Sequence, residues 1–132
     1  MLFLADNCIR RIENLGALTD LRTLDLAGNY LKVVENLGKL QALETLNLAR
    51  NQFTLVKELE GCAEAANLNS LDVSSNFFEE TEGIFELFAS LELPLKTLTF
   101  HRNPNQRLLE DYRRGFIAAL PLLTFLDDRP VP

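Results

Sequence analysis

The sequence predicts an α/β fold. It reads as a solenoid curved into a right-handed superhelix, with short parallel strands on the concave face and 3₁₀ or α-helices on the convex face. A helical cap is expected at the C-terminal end. Three observations carry this expectation. Asparagine recurs at Asn7, Asn29, Asn51, Asn76 and Asn103, with spacings of 22, 22, 25 and 27 residues. Apolar residues stand three and five places ahead of every one of them. The closing segment, "LPLLTFLDDRPVP", begins in the same register and then turns charged and proline-bound.

The recurring stretches are "LFLADN", "LRTLDLAGN", "LETLNLARN", "LNSLDVSSN" and "LKTLTFHRN". Their apolar pairs are Leu4 and Leu2, Leu26 and Leu24, Leu48 and Leu46, Val73 and Leu71, Phe100 and Leu98. Four of them keep a third leucine eight places back: Leu21, Leu43, Leu68 and Leu95. The pattern L-x-x-L-x-L-x-x-N is the leucine-rich repeat. Alternate side chains of a short strand point inward, and stacked repeats pair such strands in parallel. The asparagine turns the chain out of the strand; its amide both donates and accepts, which an aspartate could not do. One repeat cannot bury its own leucines, whereas a stack can. At ~4.8 Å per strand step the array spans about 20 Å.

The connections differ in length. "CIRRIENLGAL" and "YLKVVENLGKL" place Ile9, Ile12, Leu15 and Leu18 in register with Leu31, Val34, Leu37 and Leu40. Their three-residue period predicts 3₁₀-like turns. The longer "VKELEGCAEAANL" and "ETEGIFELFASL" predict true helices, the second with Ile84, Leu87, Phe88 and Leu91 on one face.

"NQRLLEDYRRGFIAALPLL" reads as one amphipathic helix, with Leu108, Tyr112, Phe116 and Leu120 at four-residue spacing and Leu109 and Ile117 beside them. Pro121 ends it. Leu120, Leu123 and Leu126 then repeat the spacing of Leu18, Leu21 and Leu24, with Asp128 where Leu26 would stand. A charge at an inward position and Pro130 two residues later are expected to forbid another inner strand layer. Residues 1–132 read as a single domain, capped over about 104–132. Because Met1 and Leu2 open inside a strand motif, the chain reads as a fragment of a longer protein.

Composition narrows the function. With 47% hydrophobic and 24% charged residues the chain is of globular type. No apolar run reaches the ~18 residues of a membrane span, and "MLFLADN" lacks a charged leader; a cytosolic or nuclear protein is expected. Cys8 and Cys62 lie two repeats apart, about 10 Å along the stack, too far for a disulfide. The net charge of −6 disfavours nucleic acid as a partner. Between Glu58 and Leu95 there are nine acids and no Lys or Arg. This stretch reads as a solvated convex face or as a surface steering a basic partner. Arg113 and Arg114, with six basic residues against four acids from Lys96 onward, read either as pairing with Glu110 or Asp111 or as binding residues.

Catalysis finds no materials. His101 is the only histidine, with no nucleophile at a catalytic spacing. Asp127 and Asp128, as strand neighbours, should face opposite ways. There is no Gly-rich phosphate loop and no metal-ligand cluster, so neither a cofactor nor a metal is expected. A non-enzymatic, monomeric protein-binding domain remains.

Solenoids bind partners on extended surfaces, and the concave face is formed by the outward strand residues. Its columns are Thr23, Thr45, Ser70 and Thr97; Phe3, Asp25, Asn47, Asp72 and Thr99; Ala27, Ala49, Ser74 and His101; and Asp6, Arg50, Ser75 and Arg102. Phe3, Asp25, Asn47, Arg50, Asp72, Thr99, His101 and Arg102 are the candidate partner-binding residues. The face is small and polar, so a solvated sheet is the competing reading.

"IENLGAL" and "VENLGKL" resemble the 22-residue repeat class typified by the regulatory subunit of protein phosphatase 1. "RNPNQRLLEDYRRGFIAALPLLTFLDDRPV" resembles the C-terminal cap of that class, which also includes an axonemal dynein light chain and the spliceosomal U2 A-prime protein. The ending "LDDRPV", with the repeat count and the lengthened third and fourth repeats, is similar to the leucine-rich domain of the axonemal dynein assembly factor 1 family. That resemblance implies a cytoplasmic factor, with possible cilium or flagellum association, that preassembles dynein arms with dynein chains or assembly co-factors as partners. A phosphatase-type regulatory subunit and a ribonucleoprotein-assembly adaptor are the alternatives.

Overall fold

The computed structural model describes residues 1–132 except Glu110. One sheet holds seven strands in chain order: β1 (Leu2–Phe3), β2 (Thr23–Asp25), β3 (Thr45–Asn47), β4 (Ser70–Asp72), β5 (Thr97–Thr99), β6 (Phe125–Leu126) and β7 (Arg129–Pro130). β1 to β6 pair in parallel, and β7 folds back antiparallel on β6. Two α-helices, α1 (Ile84–Ser90) and α2 (Tyr112–Ala119), and two 3₁₀ segments, Val56–Glu64 and Pro104–Leu108, lie in the connections.

The register is the one the leucines dictate. Leu2, Leu24, Leu46, Leu71, Leu98 and Leu126 are successive partners across the sheet, and all but Leu2 are buried. Leu26, Leu48, Val73 and Phe100 form a second buried column, and Leu21, Leu43, Leu68, Leu95 and Leu123 a third. Burying these columns against one another supplies the main stabilisation. The first repeat shows the converse. Leu31, Val34, Leu37 and Leu40 are buried, but of their counterparts only Ile12 is, and Leu18 is 42% exposed. A leucine layer is closed from both sides, and in this structure the first repeat packs against the second alone.

The asparagines form a continuous ladder. The Asn76 amide donates to the carbonyls of Leu48, Val73 and Ser74 at 3.1, 3.0 and 3.1 Å. Its Oδ1 accepts from the N–H groups of Asn51 and Phe53 at 3.1 and 3.3 Å. Asn51 and Asn103 repeat the pattern in their layers. Asn29, Asn51, Asn76 and Asn103 thus join their own turns to adjacent repeats, whereas the Asn7 amide donates within its own turn, to Leu4 O and Ala5 O. This donation requires the N–H groups that aspartate lacks. The residue before each one is left-handed, with φ of 57°, 69°, 55°, 56° and 59° at Asp6, Gly28, Arg50, Ser75 and Arg102.

The connections correct two expectations. The short loops of the first two repeats hold successive i to i−3 turns, as expected, with Leu18 N–H on Leu15 O and Leu21 N–H on Leu18 O at 2.9 and 3.0 Å, and Leu40 N–H on Leu37 O and Leu43 N–H on Leu40 O at 2.9 and 3.1 Å. The third connection, read as a true helix, is 3₁₀ throughout. Its start is set by Glu58, whose carboxylate accepts from the Thr54 and Leu55 N–H groups at 2.8 Å each. Val34 donates to Glu58 O at 2.9 Å, and Gly61 sits so close that a Cβ there would lie 2.1 Å from Val34 O. This close seating on the second repeat favours the thinner helix. The fourth connection holds the expected α-helix, with Ile84, Phe88 and Leu91 buried and Leu87 half-buried.

The cap is not one helix. Pro104–Leu108 is 3₁₀, Asp111 is left-handed with φ 52°, and only then does α2 begin. Leu108 accordingly points outward, 68% exposed, while Leu109 is buried. Phe116 anchors α2 in an aromatic cluster, with ring centroids 4.9 Å from Phe85, 5.3 Å from Phe88, 5.2 Å from Phe100 and 5.3 Å from Tyr112. Arg113 donates to the carbonyls of Leu126 and Pro130 at 3.0 and 3.4 Å, tying α2 to the final hairpin. The alternative pairing with Glu110 lies outside the described residues, and among the described residues neither Arg113 nor Arg114 pairs with Asp111.

The chain also departs from the expected ending. A further parallel strand, β6, does form, and the reversal into β7 follows it. Asp127, rather than Asp128, is the residue whose carboxylate turns back on the array, accepting from the Phe100 and His101 N–H groups.

Candidate functional site

The concave face is built on β1 to β6. Asp25, Asn47 and Asp72 follow the inward leucines and are half-buried. Each bends its side-chain oxygen onto the N–H two residues ahead: Ala27 at 3.0 Å, Ala49 at 3.0 Å and Ser74 at 2.9 Å. Ser74 Oγ also donates to Asp72 at 2.7 Å. These polar residues hold the exit from the strand, so Asp25 and Asp72 offer a partner their remaining lone pairs and Asn47 its amide N–H groups as well. Ala27, Ala49 and Ser74 are buried, which removes most of the third column from contact.

In the fourth column, Arg50 pairs with Asp6 at 2.9 Å. The pair passes over Gly28, where a Cβ would fall 2.1 Å from the Asp6 carboxylate. Arg102 is exposed and makes no ion pair among the described residues; its backbone N–H donates to Gln106 Oε1 at 3.0 Å. Phe3 is 64% exposed at one end of the sheet. The structure adds Phe125, 45% exposed at the other end and paired in register with Thr97. Sequence reasoning missed it by stopping the sheet one strand early, although the spacing of Leu123 and Leu126 carried the signal. Of the eight candidates, Phe3, Asp25, Asn47, Asp72 and Thr99 are successive partners across the sheet, while Arg50, His101 and Arg102 follow in the turns beyond the strands.

At the C-terminal corner His101, Gln106, Tyr112, Arg113, Asp127, Asp128 and Arg129 border a cleft of about 290 Å³. Asp127 Oδ1 accepts from the N–H groups of Phe100 and His101 at 2.8 and 3.0 Å, and Oδ2 from Tyr112 Oη at 3.0 Å. Burial raises the Tyr112 hydroxyl well above the usual tyrosine range; the Asp127 charge and hydrogen bond add to this, and Arg113 opposes it. His101 Nδ1 is buried without a partner among the described residues. Asp127 and Asp128 sit in the turn between β6 and β7, not on a strand as expected. Asp127 is committed to the fold, so the two carboxylates do not form an acid–base pair. Cys8 is exposed and Cys62 buried, both free, and burial pushes the Cys62 thiol up to about 12.

The comparisons with known proteins agree with this geometry. A family model described as leucine-rich repeats (two copies) matches residues 21–61. The chain is 35% identical over 69 residues to the leucine-rich repeat-containing protein ODA7 of Chlamydomonas reinhardtii, a match covering 52% of this chain and 16% of that protein. The chain therefore spans only a small part of that relative. Among solved structures, a chain of the Drosophila melanogaster SNF/U2A′ complex superposes with a TM-score of 0.80 at 30% identity, over 98% of this chain and 72% of that one. An internalin of Listeria monocytogenes superposes with a TM-score of 0.68 at 23% identity, over 96% of this chain and 34% of that one, a likeness of fold alone. These matches indicate no catalytic family, and proteins of this fold typically mediate protein–protein interactions. Repeat register, asparagine ladder and comparisons converge, and the chain belongs to the leucine-rich repeat family.

Proposed function

We propose that this chain is the protein-binding scaffold of a cytoplasmic factor that preassembles axonemal dynein arms for motile cilia or flagella. Residues 1–132 act as one monomeric domain whose concave strip, from Phe3 past Asp25, Asn47, Arg50, Asp72, Thr99, His101 and Arg102, meets dynein chains or assembly co-factors. The observation that carries this reading is the 35% identity to the leucine-rich repeat-containing protein ODA7, and the cap ending "LDDRPV" supports it. Affinity purification from ciliated cells tests it: dynein chains are expected with the wild type and lost with Phe3→Ala combined with Arg102→Glu. Recovery of small nuclear ribonucleoproteins without dynein chains overturns it.

A second reading, a ribonucleoprotein-assembly adaptor, is favoured by the likeness to a chain of the SNF/U2A′ complex over 98% of this chain. The net charge of −6 speaks for a protein, not RNA, as the direct contact. The same purification separates the two readings.

A further inference from the structure

The position just after each ladder asparagine faces outward on the rim of the solenoid, and is filled by Cys8, Tyr30, Gln52, Phe77 and Pro104. Tyr30 is 44% exposed there, outside the core. The Arg10 guanidinium lies over its ring, 5.8 Å from the centroid. Arg10, Tyr30, Lys32 and Gln52 line an open groove of about 450 Å³. Arg10 also borders a second groove along the first repeat, lined with it by Cys8, Ile9, Arg11 and Glu13. Arg11 is paired with Glu35. Arg10 and Lys32, two cations that make no ion pair among the described residues, thus flank a half-exposed tyrosine, on a chain whose net charge is −6.

We propose that this rim groove binds an extended acidic peptide segment of a partner protein. Charge complementarity selects the partner: carboxylates meet Arg10 and Lys32, while an apolar side chain covers Tyr30. The Gln52 amide can donate to and accept from the peptide backbone. Tyrosine and arginine are the side chains that most often anchor interfaces, and a tyrosine floor gives a peptide a contact that a bare anion does not use. The site goes beyond the concave strip and does not depend on which partner that strip holds.

The test is a fluorescence-anisotropy titration of the full chain with a fluorescein-labelled peptide of alternating glutamate and leucine. Its lysine counterpart and inorganic phosphate serve as probes of the alternatives. Saturable binding of the acidic peptide is expected, weakened about tenfold or more by Tyr30→Ala and by Lys32→Glu. Lys57→Glu, the same charge change at an exposed site elsewhere, should alter it by less than about twofold. All of these side chains are exposed, and a thermal melt confirms folding; Arg10→Gln supplies the same test should Tyr30→Ala fail to fold. The proposal is overturned if the acidic peptide does not saturate, if the lysine peptide binds as well, or if phosphate displaces the peptide. It is equally overturned if Lys57→Glu weakens binding as much as Lys32→Glu.

Discussion

The Asp127 carboxylate stands 2.8 Å from the Phe100 N–H, in the place of a backbone carbonyl. In the preceding layers the corresponding N–H groups of Leu4, Leu26, Leu48 and Val73 donate to the carbonyls of Asp25, Asn47, Asp72 and Thr99 at 2.8, 2.9, 2.7 and 2.9 Å. Asp127 is next in that series, but its backbone is left-handed, with φ 58°, and its side chain takes over the acceptor role. It also accepts from the His101 N–H at 3.0 Å, the N–H two residues beyond Thr99, whose counterparts in earlier layers go to Asp25, Asn47 and Asp72. One carboxylate therefore satisfies donors that the end of the array would otherwise leave open.

Asp127→Ala should destabilise the fold by about 1–3 kcal/mol, the cost of leaving such donors unmet. Asp127→Asn keeps an acceptor and should cost less than half as much. Urea unfolding midpoints measure both, and equal losses would contradict the acceptor role.

The ladder makes a sharper demand at Asn76. Asn76→Asp preserves shape and acceptors but points a carboxylate oxygen at the carbonyls of Leu48, Val73 and Ser74. A loss of about 2 kcal/mol or more is expected near neutral pH. Part of it should be recovered in acid, where the carboxyl is protonated and donates again. A pH-independent difference from wild type would refute this account.

Packing sets two further expectations. Leu46 is 1% exposed at the middle of the leucine column, so Leu46→Ala should cost about 2–5 kcal/mol through the cavity left behind. Gly61→Ala should cost about 1–3 kcal/mol for the opposite reason, because its Cβ meets the Val34 carbonyl. Unchanged thermal melts for either variant would show that the site relaxes freely.

Buried acidic protons should make the fold sensitive to alkali. The folded state holds Tyr112 and Cys62 protonated above their ordinary values of 10.0 and 9.0. Their contribution is thus fully present below those values and is lost as pH rises, for Cys62 between 9.0 and about 12. Stability should fall above about pH 9, and less steeply in Tyr112→Phe. In a thiol titration at pH 8, Cys8 should react in the native state and Cys62 only on unfolding. Prompt reaction of both would contradict the burial of Cys62.

Much of this fold was legible because a repeat declares its own register. The leucines and asparagines fixed the strands, the inward columns and the stacking direction, since only one alignment buries all the columns at once. What the sequence left open was decided between repeats. The third connection became 3₁₀ where Gly61 meets Val34 O, and the cap helix broke at the left-handed Asp111. Phe125 joined the concave face only because β6 formed. The concave carboxylates Asp25 and Asp72, candidates for partner contact, also accept from backbone amides of their own repeats. By itself the sequence determined the repeat unit, because inward apolar side chains and turning asparagines follow from local pattern. Only the tertiary structure decided how the array ends, because the donors of a last strand find their acceptor in space: Asp127, beyond a helix and a turn, closes on Phe100.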